Sequence, residues 1–148
     1  MDDNGDSPLG QGNQECEYYE PEEFSQMIEG TKIALSSFHL NCRSLSSNWD
    51  AFHNLLCDLH NKDFSFDIIG VSEVFRADRD PRVVLSGYHN IITRCRNDDG
   101  RGGVGLFIKD SINFKVRDDL SVFIPHVYES LFIEVENENE CSNRQNEV

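Results

Sequence analysis

The clearest pattern in the chain is the apolar run Ile68-Ile69-Gly70-Val71, closed by Asp67 on one side and Ser72-Glu73 on the other. A short, largely β-branched run between polar residues predicts a strand buried on both faces in the middle of a sheet. Upstream, Ile33, Leu35, Phe38 and Leu40 predict a strand that stops at the polar cluster Asn41-Cys42-Arg43-Ser44. Between the two, Trp49, Phe52, Leu55, Leu56 and Leu59 recur at three- and four-residue spacing, whereas Asp50, His53, Asn54 and Asp58 fall on other faces. That is an amphipathic helix of about three to four turns. Ser47 with Asp50 is a loose capping pair for its start, and His60-Asn61-Lys62 suits its end.

Downstream the period changes. Residues 74–87 read as a surface loop with a short element at Val83-Val84-Leu85. Tyr88–Cys95 and Gly103–Lys109 read as two strands of a hairpin, with Asp99-Gly100 as the turn signal. Ile112, Phe114 and Val116 alternate with Asn113, Lys115 and Arg117, and Leu131, Ile133 and Val135 with Phe132, Glu134 and Glu136, which predicts half-buried strands.

Residues 32–73 therefore read strand, helix, strand. Such a crossover makes the two strands parallel and lays the helix on one sheet face. It also puts Asn41 and Glu73 at the same sheet edge. Sheets of this kind place sites beyond their strand ends, and a carboxylate beside a carboxamide offers hard oxygen ligands of the type Mg²⁺ accepts. The plainer reading of Glu73 is the start of a solvated loop.

Length and composition add limits. A chain of 148 residues with 38% hydrophobic content holds one domain with a core. The net charge of −14 is unevenly spread: −9 over residues 1–30, −4 over 134–148, and −1 over 31–133. Residues 1–30 read as a disordered acidic leader and 137–148 as a disordered polar tail, so the acidity does not exclude a polyanionic partner for the central segment. Cys16, Cys42, Cys57, Cys95 and Cys141 show no C-x-x-C pair, which fits a reducing compartment and neither a disulfide framework nor a zinc site. With no signal-type segment and no run of about 18 apolar residues, the expectation is an intracellular chain, not secreted and not in a membrane.

Several motifs carry less than they promise. Gly100-Arg101-Gly102-Gly103-Val104-Gly105 fits G-x-G-x-x-G, but strand formers follow it and Asp98-Asp99 precede it. It is read as hairpin glycine, with no nucleotide cofactor. The five histidines lack ligand spacing, Cys42 and Cys95 lack a triad partner, and there is no G-x-S-x-G elbow. Arg94, Arg96 and Arg101 could track phosphates, or could be ordinary surface charge.

Taken in order, the blocks resemble the endonuclease/exonuclease/phosphatase family, most closely the N-terminal endonuclease domain of non-LTR retrotransposon polyproteins. His39-Leu40-Asn41-Cys42-Arg43-Ser44-Leu45 resembles its first strand with Asn and Arg-Ser-Leu, and Asp67–Glu73 its strand ending in the metal-binding Glu. Gly87-Tyr88, Arg94, Gly102–Ile108 and Glu129–Val135 resemble the blocks that follow. The resemblance implies a partial four-layer αββα sandwich of the DNase-I-like type over residues 31–136, without its C-terminal half. It also implies Mg²⁺-dependent phosphodiester hydrolysis on DNA, with Glu73 holding the metal and Asn41 supporting the site. The family's later Tyr-x-Pro-Pro, Gly-Asp-Phe-Asn and Ser-Asp-His segments do not occur in the sequence. The expectation is therefore a fragment inactive by itself. The alternatives are a non-catalytic nucleic-acid or protein-binding module, or a hydrolase of this fold with another phosphodiester substrate.

Overall fold

The computed structural model describes residues 18–30, 34–95, 101–124 and 128–136. The expected leader before Tyr18, the expected hairpin turn over 96–100 with Arg96, and the expected tail over 137–148 lie outside the described residues. The chain divides into two compact units, Met1–Thr31 and Lys32–Val148.

In the first unit, where the composition predicts no order, Pro21–Ile28 forms a helix, α1. Local chemistry accounts for it. Pro21 occupies the first turn, where its missing N–H is no loss, and Glu22 and Glu23 favour the positive helix start. The Glu20 N–H donates to the Glu23 carboxylate at 3.0 Å. Counting apolar residues overlooks such capping.

The second unit is mixed α/β. Strand β1 (Ser37–Asn41) leads through helix α2 (Trp49–His60) to strand β2 (Ile68–Ser72). Strands β3 (Ile92–Arg94) and β4 (Val104–Ile108) complete a four-stranded sheet in the order β1-β2-β4-β3. β1 and β2 are parallel, as the crossover predicts, and the other pairs are antiparallel. The helix follows its pattern: Trp49, Phe52, Leu56 and Leu59 are buried. Its rings meet the sheet at Phe107, whose centroid lies 6.1 Å from that of Trp49 and 6.0 Å from that of Phe52. Along β2, Ile69 and Val71 are buried while Ile68, Gly70 and Ser72 are half-buried, so the strand is sealed on one face rather than both. The other face is only partly covered, by Glu129, Ser130 and Leu131, which line a groove of about 260 Å³ with His39, Gly70 and Leu106.

Three expected elements are shorter or absent. β1 starts at Ser37 because Ser36 is engaged with Asp67, and Leu35 stays 53% exposed. Val83 and Leu85 are buried, but 83–85 forms no strand. The strand expected over 88–95 is broken by a bulge. Tyr88 pairs with Lys109 and Ile92 with Leu106, so three residues, His89–Ile91, face two, Phe107 and Ile108. Ile91 packs there against Gly105, where an added Cβ would stand 3.0 Å from its Cδ1.

Beyond β4, strand β5 (Phe114–Val116) pairs with β8 (Ile133–Val135), and β6 (Phe123–Ile124) with β7 (Tyr128–Glu129). Arg117 ties the first pair, reaching Glu134 at 2.7 Å and Asp119 at 2.6 Å. Among the described residues, no helix is long and apolar enough to cross a membrane.

At the edge where β2 begins, Asp67 accepts from the Ser36 N–H and hydroxyl at 2.8 Å each and from Lys109 Nζ at 2.9 Å. Burial raises its pKa, but these donors outweigh burial and hold the carboxyl below its ordinary value. Because the folded-state value is depressed, its contribution is present above the unfolded value of about 3.9 and is lost as pH falls through the folded one. Asp67→Asn should lower stability near neutrality by about 2 kcal/mol. In chemical melts at several pH values the gap to wild type should narrow below about pH 4, and a gap constant down to pH 2 would contradict this assignment.

Candidate functional site

β1 and β2 are in parallel register with Asn41 opposite Ser72, so both strands deliver their last residues to one edge. The sequence expectation that Asn41 and Glu73 share that edge is met in detail: Asn41 Nδ2 donates to Glu73 Oε1 at 2.9 Å. Asn41 Oδ1 accepts the Arg43 N–H at 3.2 Å. A carboxylate can only accept and a backbone N–H can only donate, so the two contacts fix the amide's orientation. The ladder continues past the strands, with Cys42 N donating to the Ser72 carbonyl at 2.9 Å and Ser44 N to the Glu73 carbonyl at 2.8 Å.

The turn that carries Asn41 is locked from the helix side. Asn48, at the start of α2, donates from its amide to the carbonyls of Cys42 (2.9 Å), Arg43 and Ser44 (3.3 Å each). The expected Ser47–Asp50 capping pair is not formed: the N-cap is Asn48, and the Ser47 hydroxyl pairs with that of Ser44 at 2.9 Å. Asn48 was not among the expected site residues. Its signal in the sequence was an Asn immediately before the first apolar helical position.

Backbone strain gathers here. Arg43 (φ 43°), Ser44 (φ 80°), Glu73 (φ 57°), Phe75 (φ 47°) and Arg76 (φ 60°) all take left-handed conformations, each costing about 1–2 kcal/mol for a residue with a Cβ. The surroundings hold the second group in place: Phe75 N donates to the Gly102 carbonyl at 3.1 Å and Val74 N to that of Gly103 at 3.5 Å. Gly103 is a glycine of necessity. At φ +88° an added Cβ would stand 3.0 Å from the Arg94 carbonyl, Cys95 Sγ and Val74 Cγ2. Relief of strain is testable at Glu73 itself. Glu73→Gly and Glu73→Ala both lose the Asn41 contact, but only glycine accepts the left-handed backbone, so Glu73→Gly should be the more stable by about 1 kcal/mol. Urea melts that rank alanine level with or above glycine would refute the strain argument.

The arginines stand round the same edge. Asn41, Ser72, Val104 and Arg94 lie abreast across all four strands, which spreads Asn41 and Arg94 about 14 Å apart. Arg43 and Arg76 sit in the two turns, and Arg101 precedes Gly102. Arg94 is ion-paired with Asp118, so a phosphate reaching it must compete with that carboxylate. Cys42, directly after Asn41, is buried, and burial pushes its thiol up to about 11, which removes it as a nucleophile.

Among the described residues no three His, Cys, Asp or Glu side chains gather as a metal-binding group. At the Asn41–Glu73 contact the oxygen donors are the Glu73 carboxylate and the Asn41 amide oxygen, the latter already engaged by the Arg43 N–H. Such a set suits a hard cation that keeps most of its waters, as Mg²⁺ does, and not a dehydrated tetrahedral ion. Neither the protein-family profiles nor the curated proteins include a match to this chain.

Proposed function

We propose that the chain carries one part of a metal-dependent phosphodiesterase site of the endonuclease/exonuclease/phosphatase type, in which Glu73 is the Mg²⁺ ligand and Asn41 orients its carboxylate. The observation that carries the reading is the 2.9 Å contact of Asn41 with Glu73 at the C-terminal edge of two parallel strands. That contact is held on strained backbone rather than left to a free side chain. On this reading the sheet and α2 are two layers of a four-layer αββα sandwich, and DNA is the polyanion served by Arg94, Arg96, Arg101 and the arginines of the two turns. A divalent cation at Glu73 would supply positive charge to a phosphodiester oxygen. The chain's own contribution is placement: Asn48 fixes the turn, the turn fixes Asn41, and Asn41 fixes the acid.

Proton transfer is a different matter. Hydrolysis needs a group to activate water and one to protonate the leaving oxygen. The Gly-Asp-Phe-Asn and Ser-Asp-His segments that would bring them are not in these 148 residues. The expected result with supercoiled plasmid and Mg²⁺ is therefore no nicking above background. Nicking by the wild type that disappears in Glu73→Ala would overturn the inactive reading while supporting the metal role of Glu73.

A further inference from the structure

Away from that edge, α2 carries a second set of chemistry. Trp49, His53 and Cys57 stand one turn apart along it. The His53 ring lies 5.6 Å from the Trp49 ring, and Cys57 Sγ lies 3.6 Å from His53 Nδ1 and 3.8 Å from Nε2. These distances put the sulfur within hydrogen-bond reach of the imidazole.

His53 and Cys57 line a half-open pocket of about 340 Å³ between α2 and the segments 64–66 and 85–88. That volume is in the range of small-molecule sites. Its walls are Leu56, Leu59, Phe64, Phe66, Leu85 and Tyr88. Phe64 and Phe66 meet edge to face at 4.9 Å, and Tyr88 is pinned by donating its hydroxyl to the Phe66 carbonyl. The pocket is a half-open, mainly apolar groove with aromatic walls, with Ser65 and Ser86 also on its rim and a thiol and two histidines, His53 and His60, at its helical side.

We propose that this pocket binds a small aryl-bearing α,β-unsaturated carbonyl compound and that Cys57 captures it covalently. His53 takes the thiol proton as the sulfur forms an S–C bond at the β-carbon. The C=C π pair passes to the α-carbon through the enolate, and the imidazolium returns the proton there. The net change is addition of S–H across C=C, with no leaving group and no oxidant. The other described cysteines are poorly placed for this: Cys42 is buried, and Cys95 packs against Gly103.

The test uses the unaltered chain with N-phenylacrylamide, with acrylamide as the probe lacking the aryl group, read by intact mass and peptide mapping. Binding before reaction makes the rate at Cys57 saturate with N-phenylacrylamide and rise linearly with acrylamide. The saturated analogue N-phenylpropanamide, which fits but cannot react, protects Cys57 and leaves Cys95 unaffected. His53→Gln should slow capture by about tenfold. The proposal is overturned if modification at Cys57 is linear and unprotected, or if another cysteine reacts as fast. A His53→Gln chain that reacts at the wild-type rate removes the role of the imidazole. Since the saturation and protection measurements need no variant, misfolding of a mutant does not shelter the proposal.

Discussion

Glu73→Gln is expected to abolish specific divalent-cation binding at the sheet edge while leaving the fold intact. The side chain keeps its length and can still contact Asn41, but it loses the charge that a hard cation requires of this ligand. Mn²⁺ is the suitable probe, because its paramagnetism broadens nearby amide signals. In the wild type the Ser44, Ser72 and Val74 amides, which flank the carboxylate in sequence or through the Ser44–Glu73 contact, should broaden together. The charge of −9 over residues 1–30 also attracts Mn²⁺, so total binding is a poor readout and position is the informative one. Glu73→Gln should remove broadening at the edge and leave that of the acidic segment unchanged. Asn41→Ala should weaken edge binding by about tenfold, the usual effect of losing a group that orients a ligand. Broadening at the edge that survives Glu73→Gln would end the metal-ligand assignment.

Why the acid and its partner could be located from sequence, and their setting could not, follows from the range of the forces involved. The strand Ile68–Ser72 and the helix Trp49–His60 are written in apolar periodicity, a local signal that burial in the core enforces. Once both were legible, crossover geometry put Asn41 and Glu73 on one edge. The left-handed backbone at Glu73, Phe75 and Arg76 was not legible, because no β-carbon-bearing residue prefers it. It exists because Gly102 and Gly103, some thirty residues on, accept the Val74 and Phe75 N–H groups. The same distance hid the Arg94–Asp118 pair and the bulge at His89–Ile91. Strands β6 and β7, at two residues each, carry no period to read. Helix α1 was missed for the opposite reason: its determinants are capping contacts within four residues, which a count of apolar side chains ignores.

Phe107→Ala is expected to have the largest effect on stability of any single change, about 3–5 kcal/mol. Phe107 is fully buried. It stands opposite Ile69 on β4, and its ring lies about equally far from those of Trp49 and Phe52 on α2. Removing it therefore takes away the side chain on which the helix and the central strand converge. The hole left cannot collapse easily, since α2 is fixed at its start by Asn48 and β4 by its pairing on both sides. A domain of this size has about 5–15 kcal/mol in total, so much of the margin goes with one ring. The chain's single tryptophan, Trp49, is 6% exposed and touches the altered position, so its fluorescence reports the transition directly. Phe107→Leu, which keeps most of the volume, should lose about 1 kcal/mol. A Phe107→Ala chain within 1 kcal/mol of wild type in urea melts would mean that α2 and the sheet are not joined through this residue. The edge that carries Asn41 and Glu73 would then need another support.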